Sequence, residues 1–198
     1  MKLNENVKII GRKVLLIPYE EKHVEKYHNW MKSAELQILT ASEPLSLEEE
    51  YAMQKSWRND EDKCTFLILS KETFDTTNDE LKSLIGDTNL FLQYEDDQNE
   101  KVAECEIMIA EKEYRRKKLG WESMLLMLKY GQCILNLNKF VAKINENNEN
   151  SIYMFKKMNF NEISRSEIFH EVTLERKVDE TWTTWLDSQV DLQIESYK

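Results

Sequence analysis

A strand, a cationic turn and a helix follow one another without interruption in residues 103–130, and this succession limits the possible folds more than any other feature of the chain. Over residues 104–109, Glu, Glu and Met alternate with Cys, Ile and Ile, a pattern typical of a strand with two different faces. A helix that begins directly after a cationic turn points unpaired N–H groups and the positive end of its dipole outward. The sequence therefore predicts a site for a phosphate or pyrophosphate group beside a strand that carries two carboxylates.

Four consecutive cations, Arg115, Arg116, Lys117 and Lys118, precede the predicted start of this helix. Such side chains bind phosphate groups, but runs of like charge are also common on turns that simply face solvent. The four residues alone leave both interpretations open. The strand before them and the helix after them favour the phosphate site.

Residues 115–120 resemble motif A of the GNAT acetyltransferases, in which Arg or Gln is followed by two residues, Gly, one residue, and Gly or Ala. Arg115 matches the first position and Gly120 the last, whereas Lys118 replaces the first glycine. If Lys118 adopts the left-handed conformation that glycine takes readily, the strain is about 1 kcal/mol. The resemblance implies acetyl-CoA as co-substrate and no metal.

The resemblance to motif A also assigns coenzyme contacts to residues of this chain. The backbone of Ile107, Met108 and Ile109 is expected to hold the pantetheine chain where the strand splays from its neighbour, and one N–H is expected to polarise the thioester carbonyl. The turn and the start of the helix are expected to hold the phosphates through Arg115, Arg116, Lys117, Lys118, Leu119, Gly120 and Trp121.

Residues 148–160 resemble motif B of the same family, in which Asn, two residues, and Ser or Ala begin a short helix. Asn148 and Ser151 match, so Asn148 is a candidate to bind the pantetheine arm, with a helix cap as the alternative. Many relatives carry a tyrosine on this helix that protonates the departing thiolate. Phe155 occupies that position and Tyr153 points to another face, so no tyrosine acid is predicted, as in the RimJ/RimL-like branch.

A narrower resemblance, to the N-acetyltransferase 9 group, extends from residue 1 to residue 174. The blocks that carry it include residues 40–45, 50–57, 62–66, 86–92 and 106–111. That group is named for acetylating the amino termini of α- and β-tubulin. The resemblance thus implies a protein amine as acceptor, tubulin or another exposed amino terminus, and a cytoplasmic, microtubule-associated location.

Two carboxylates on the central strand, Glu104 and Glu106, are the candidate catalytic residues. They lie on one face, because alternate residues of a strand point the same way. Acetyl transfer needs an uncharged amine, and an α-amine has a pKa near 8, so a carboxylate can take its proton directly or through a water. Glu106 is the preferred base. The alternatives are cross-strand ion pairing with Lys or Arg, or holding the substrate's ammonium group.

Charge and cysteine content exclude several classes of function. The net charge of −10 argues against nucleic acid as a partner. It suits steering of a cationic substrate, although solubility alone also explains it. No apolar run is long enough to cross a membrane, so no membrane partner is predicted. The three cysteines and three histidines show no metal-ligand spacing, and unpaired cysteines suit a reducing compartment.

The order of elements predicts an α/β (α+β) fold with a mixed, mostly antiparallel central sheet and helices on both faces, as in GNAT proteins. Residues 1–188 are expected to form one domain, followed by a frayed polar tail of residues 189–198. Residues 71–82 are polar and predicted to be a loop, and residues 95–101 a hairpin turn. Residues 40–45 are expected either to border the acceptor groove or to form a simple turn.

Three functional hypotheses follow. The first is an acetyl-CoA-dependent protein N-acetyltransferase that works through a ternary complex. The second is a GNAT-like microtubule-binding protein that has lost catalysis, which the replacement of glycine by Lys118 and of tyrosine by Phe155 would favour. The third is a transferase for a small amine. Binding of acetyl-CoA separates the two enzymes from the binding protein.

Overall fold

Nine strands form one sheet in the computed structural model, which describes residues 1–95 and 100–198. The strands lie in the order β7-β8-β6-β5-β4-β3-β2-β1-β9. Among the described pairs only β5 and β6 are parallel, so the predicted mixed, mostly antiparallel sheet is confirmed. Most of the turn predicted over residues 95–101 lies outside the described residues.

The strands run as follows: β1 Val7–Ile10, β2 Val14–Pro18, β3 Lys63–Ser70, β4 Leu84–Glu95, β5 Glu100–Ile109, β6 Lys139–Asn145, β7 Asn161–Ser166, β8 Glu171–Lys177 and β9 Gln193–Ser196. The helices run as follows: α1 Val24–Met31, α2 Ala34–Leu39, α3 Leu47–Asn59, α4 Lys71–Thr77, α5 Glu80–Ser83, α6 Leu119–Cys133, α7 Glu149–Lys157 and α8 Glu180–Gln189. Among these described helices, none combines the length and the apolar character needed to span a bilayer.

Both faces of the sheet are packed against helices. One core cluster joins one face of the sheet to α6, α7 and α8, with Tyr130, Phe155 and Trp182 among its largest buried side chains. A second cluster joins the other face to α1 and α2, and includes Tyr19 and Trp30. The alternation predicted for β5 is what divides its side chains between these two faces: Cys105 faces the first cluster and Met108 the second.

Local capping chemistry explains several helix boundaries. The capping box predicted at the start of α3 is present, since Ser46 Oγ accepts from the Glu49 N–H and the Glu49 carboxylate accepts from the Ser46 N–H. The loop predicted over residues 71–82 is wrong, because this segment forms α4 and α5. Ser70 caps α4, which ends at a left-handed Asn78, and Asp79 caps α5.

The tail predicted to fray instead contains β9, which pairs antiparallel with β1 from Val7↔Ser196 to Ile10↔Gln193. All four side chains of β9 are exposed. Backbone pairing therefore orders this strand, and the side-chain pattern carries no signal for it. The assignment of residues 1–188 to a separate domain stays a prediction.

Candidate active site

The pairing of β5 with β6 stops early, and this leaves the strand edge of the candidate site open. They pair only from Val102↔Lys139 to Glu104↔Val141, whereas β6 continues to pair with β8 as far as Asn145. Residues 105–109 of β5 therefore have a described strand, β4, on one side only. The backbone of Ile107, Met108 and Ile109 thus lies along an open edge, which suits an extended chain of amide groups that adds to the sheet.

The turn before α6 uses left-handed conformations at two positions without glycine. Arg116 has φ 61° and Lys118 has φ 65°, so Lys118 adopts the conformation that the motif's glycine adopts readily. In the described part of the chain no acceptor bonds the N–H groups of Leu119, Gly120 or Trp121, and the first helical bond runs from Glu122 N–H to the Lys118 carbonyl. The start of α6 is therefore able to bind an anion.

The four cations of this turn differ in what they contact. Arg115 donates to the carbonyls of Ile109 (2.8 Å) and Ala110 (3.4 Å) and to the Glu35 carboxylate (2.6 Å). Its guanidinium therefore braces the turn against the end of β5 and against α2, which differs from the expected role of clamping a phosphate. The Lys117 ammonium lies 5.4 Å from the Tyr114 ring centroid.

Arg116, Lys117 and Lys118 are exposed and form no hydrogen bond or ion pair with a described side chain, and of these three Lys117 alone contacts a described ring. The Lys118 side chain lines a cavity of about 250 Å³ together with Arg12 and Lys13 of the β1–β2 turn. A larger cavity of about 640 Å³ lies beside α3, around Tyr51 and Arg58, and contains none of the predicted site residues.

Gly120 allows the first turn of α6 to lie close to β5. A Cβ at this position would approach Ile109 Cγ1 to 3.2 Å and Ile107 Cδ1 to 3.7 Å. Leu119 is buried in the core, and Trp121 packs against it. Close packing therefore fixes the helix start beside the open edge of β5.

We expect Lys118→Gly to raise the free energy of unfolding by up to about 1 kcal/mol, because glycine adopts φ 65° without the strain of a Cβ. Urea denaturation measures this change, and Arg116→Gly serves as the matched variant at the other left-handed position. A loss of stability in Lys118→Gly would show that the lysine side chain contributes more than its backbone strain costs.

The two carboxylates of β5 have different surroundings. The Glu104 carboxylate accepts from Lys143 Nζ of β6 at 2.7 Å, so it is committed to the cross-strand ion pair that was one of the alternatives. Glu106 is exposed and forms no ion pair or side-chain hydrogen bond with a described residue. Of the two candidates, Glu106 is therefore the one whose oxygens are free to accept a proton.

The pKa of Glu106 suits a base near neutral pH. Loss of hydration beside the surrounding protein raises its pKa to about 7, opposed by the charge of Lys63 and assisted by the charges of Asp87 and Glu104. The side chain is reached by solvent, while the neighbouring residues displace part of the water around its carboxylate, and this loss of hydration raises the pKa. An acceptor α-amine with a pKa near 8 is within reach of such a base.

Three buried polar residues lie next to Glu106: Thr65 on β3, and Asp87 and Asn89 on β4. The sequence did not predict this group. Asn89 lies directly opposite Glu106, accepts from Thr65 Oγ1 (2.6 Å) and donates to Asp87 Oδ2 (2.9 Å). Asp87 is 2% exposed, and burial raises its pKa to about 6. The sequence did contain a signal for this group. Asp87 and Asn89 are polar residues at alternate positions of a strand that is otherwise mostly apolar, and such residues need polar partners when they are buried.

Asp87 makes stability depend on pH in a direction that can be tested. Its pKa is about 6 in the folded state against an ordinary value of 3.8, so the folded state binds more protons between about pH 4 and about pH 6. Stability therefore falls as pH rises through this window, by an amount on the order of 3 kcal/mol for this carboxyl. We expect Asp87→Asn to flatten the dependence, measured by urea denaturation across the window. Identical slopes for the two proteins would contradict this assignment.

The helix after β6 gives Asn148 the capping role that was its alternative. Its Oδ1 accepts from the Ser151 N–H at 3.2 Å, which leaves the side-chain amide N–H groups available to a ligand. Phe155 is buried against Phe160, and Tyr153 is 64% exposed on another face. That no tyrosine of this helix acts as the general acid stays a prediction.

The expected acceptor loop, residues 40–45, follows the end of α2. Ala41 is left-handed (φ 49°), and the Thr40 and Ser42 N–H groups donate to carbonyls of α2. This geometry is that of a helix-terminating turn. Its contact with an acceptor stays a prediction. Within the described residues, no group of three or more His, Cys, Asp or Glu is placed to hold a metal ion.

These features fit acetyl-CoA. The open edge of β5 has the geometry to pair with an extended chain of amides such as pantetheine, and the bare N–H groups at the start of α6, beside Arg116 and Lys118, have the polarity to bind an anion such as a diphosphate. The two sites adjoin, because Gly120 packs on Ile107 and Ile109 of that same edge.

Comparison with known proteins agrees with this geometry. Residues 13–161 match the family described as acetyltransferase (GNAT) domain. The chain is 53% identical over 200 residues to an α/β-tubulin N-acetyltransferase 9 of Drosophila melanogaster, covering all of both chains. It is 50% identical over 192 residues to the Homo sapiens protein of the same name, covering 96% of this chain and 92% of that one.

Solved structures share the fold at lower identity. A spermidine N-acetyltransferase from Vibrio cholerae in complex with CoA and spermine has a TM-score of 0.69 and 20% identity, covering 82% of this chain and 93% of that one. An N-acetyltransferase from Campylobacter jejuni in complex with acetyl coenzyme A has a TM-score of 0.58 and 15% identity, covering 87% and 99%. The sheet, the open strand edge and the sequence match agree: the chain belongs to the GNAT acetyltransferase family and is an acetyl-CoA-dependent N-acetyltransferase.

Proposed function

We propose that the acceptor is the α-amine at the amino terminus of a protein, and that α- and β-tubulin are the substrates. The names of the D. melanogaster and H. sapiens relatives support tubulin, because the similarity covers nearly the full length of each. The observation that carries the reaction is the position of Glu106, an unpaired carboxylate on the strand whose open edge adjoins the anion site. The net charge of −10 is compatible with attraction of a cationic amino terminus.

Each part of the site has a proposed role toward the co-substrate. Acetyl-CoA supplies an activated acetyl group as a thioester. The backbone of Ile107, Met108 and Ile109 would bind and align the pantetheine arm, and one N–H of this edge would polarise the thioester carbonyl. The first turn of α6, residues 119–121, with Arg116, Lys117 and Lys118, would bind the phosphates, while Arg115 holds the turn in place.

Glu106 acts as the general base in this proposal. It accepts a proton from the acceptor ammonium, so that the neutral nitrogen forms the N–C bond as the C–S bond breaks. The nitrogen's second proton passes to the departing CoA thiolate, which leaves as the thiol. The ion pair with Lys143 gives Glu104 a supporting role beside it. Transfer is direct, because burial raises the pKa of the Cys64 and Cys105 thiols, which disfavours either as a nucleophile.

Mass spectrometry of peptides incubated with the protein and acetyl-CoA tests the substrate. The amino-terminal peptides of α- and β-tubulin are expected to gain one acetyl group at the α-amine, and peptides already blocked there to gain none. Spermidine is the matched small-amine acceptor, and faster acetylation of spermidine would favour the small-amine hypothesis. Calorimetry that detects no binding of acetyl-CoA would favour the microtubule-binding hypothesis.

We also propose that the protein acts in the cytoplasm and contacts microtubules through this activity. Support comes from the tubulin names of the relatives. Co-sedimentation with assembled microtubules, compared with binding to free tubulin dimers, measures the contact. If the microtubules sediment without any of the protein in the pellet, the association is rejected.

A further inference from the structure

Lys63, the first residue of β3, is buried between two aromatic rings. It is 2% exposed, and its Nζ lies 3.6 Å from the ring centroid of Trp57 on α3 and 3.6 Å from that of Phe91 on β4. Phe91 is also the residue directly opposite Lys63 in the sheet. Ring faces attract a cation most strongly where water is excluded. The two rings therefore fix the position of this ammonium group.

The fixed ammonium shares a sheet face with the candidate base. Glu104 lies opposite Phe91, and Glu106 lies opposite Asn89, so the β5 carboxylates and Lys63 project on the same side. Lys63 forms no direct ion pair with a described carboxylate, but its charge is the main one that lowers the pKa of Glu106. In return, Glu106 is the main charge that opposes the burial-driven fall of the Lys63 pKa to about 8.

We propose that Trp57 and Phe91 hold the Lys63 ammonium as a fixed counter-charge, which keeps Glu106 ionised while leaving both carboxylate oxygens free to accept a proton. A direct salt bridge would also favour ionisation, but it would occupy the lone pairs that a base needs. Lys63 is thus a positioning residue that acts through Glu106. This inference rests on the proposed function in so far as Glu106 is the base.

The other charged groups that face Glu106 do not replace Lys63. Asp87 of β4 and Glu104 of β5 oppose its ionisation, because they are negative. Lys143 of β6 favours ionisation but is already bonded to Glu104. Tyr27 of α1 is neutral, since burial raises its pKa. Within the described residues, Lys63 is the cation near Glu106 that no carboxylate binds directly.

Lys63→Met tests the proposal, because it keeps the aliphatic length between the rings and removes the charge. The titration of the Glu106 carboxyl, followed by ¹³C NMR of glutamate-labelled protein and assigned with Glu106→Gln, is expected to move up by about one pH unit. The acid limb of the pH profile of kcat/KM is expected to move up by the same amount. The value of kcat/KM then falls roughly tenfold near pH 6 and does not change at high pH. Lys63→Arg, which keeps a cation that stacks on rings, is expected to restore the wild-type titration.

The control is Lys55→Met, which removes an exposed cation from α3 and is expected to leave both readouts unchanged. An unshifted Glu106 titration in folded Lys63→Met would overturn the proposal, as would a failure of Lys63→Arg to restore it. If Lys63→Met does not fold, Phe91→Leu is the variant to measure, because it removes one of the two rings. It is expected to shift the Glu106 titration upward by less than Lys63→Met would. The absence of any shift overturns the proposal. If the Glu106 titration shifts in Lys63→Met but Glu106→Gln remains fully active, Glu106 is not the general base, while the role of Lys63 as its counter-charge stands.

Discussion

Glu106→Gln is expected to lower kcat for a tubulin amino-terminal peptide at least about 100-fold near neutral pH. The substitution keeps the shape of the side chain and removes the group that accepts the ammonium proton, and a positioned general base typically contributes a factor of this size. Because Glu106 is exposed and bonds no described side chain, the variant is expected to melt no lower than the wild type, and loss of a carboxylate with a raised pKa favours the folded state near neutral pH. Steady-state kinetics and thermal denaturation measure the two effects separately.

Glu104→Gln is the matched control for the base. It changes the same residue type two positions away on the same face, but the carboxylate it removes is bound to Lys143 at 2.7 Å. We expect less than a tenfold loss of kcat, in line with a supporting role. Equal losses in the two variants, or a larger loss in Glu104→Gln, would reject Glu106 as the base.

The pH dependence of kcat/KM gives a second reading of the same assignment. Glu106 must be ionised to act, and its pKa is about 7, so activity is expected to fall as pH drops below about 7. Because Glu106 removes the proton from the bound ammonium, protonation of the acceptor α-amine, with a pKa near 8, adds no further fall in the wild-type enzyme. In Glu106→Gln the residual activity is expected to follow the amine alone. An unchanged profile would mean that Glu106 does not contribute to the acid limb.

Gly86→Ala is expected to cost about 3 kcal/mol of unfolding free energy, the largest stability effect among the substitutions considered. A Cβ at Gly86 would lie 1.9 Å from the Met108 carbonyl oxygen, which is backbone and cannot rotate away. Relief of this clash requires β4 and β5 to separate at the end of the open edge. For a chain of this size we expect a fall in melting temperature of about 10 °C.

Gly120→Ala is the matched control for that clash. Its Cβ would approach only a side-chain atom, Ile109 Cγ1 at 3.2 Å, and alanine favours a helix by about 1 kcal/mol over glycine. We expect its stability to stay within about 1 kcal/mol of wild type. If Gly86→Ala melts at the same temperature as Gly120→Ala, the close approach of β4 and β5 is not what requires glycine.

Local pattern explains which parts of the fold were predictable. The β5 alternation, the Ser46 capping box and the basic turn before α6 each depend on residues a few positions apart, and each prediction is confirmed. Helix α4 was not predicted because it buries no residue and is ordered by its caps. Strand β9 was not predicted because its side chains are all exposed and show no apolar pattern. Main-chain pairing with β1 holds it in the sheet.

The site shows the same division between local and distant signals. Alternation along β5 placed Glu104 and Glu106 together on one face, and the resemblance to motif A indicated the turn that contains Lys118. The bond between Arg115 and Glu35, and the approach of Lys63 to Phe91, join residues far apart in the sequence. No spacing rule identifies such contacts, because the register of the sheet decides them.

The pairing of β9 with β1 has a consequence for how the molecule behaves in crowded conditions. Both outermost strands of the sheet, β7 and β9, are short, and ionised groups such as Glu162, Arg165 and Glu195 punctuate them. A short edge strand with charged side chains is a poor partner for main-chain pairing with an edge strand of another copy. The apolar β1, which would otherwise form the rim, is shielded by its polar neighbour. We therefore expect this architecture to disfavour open-ended strand-to-strand self-association.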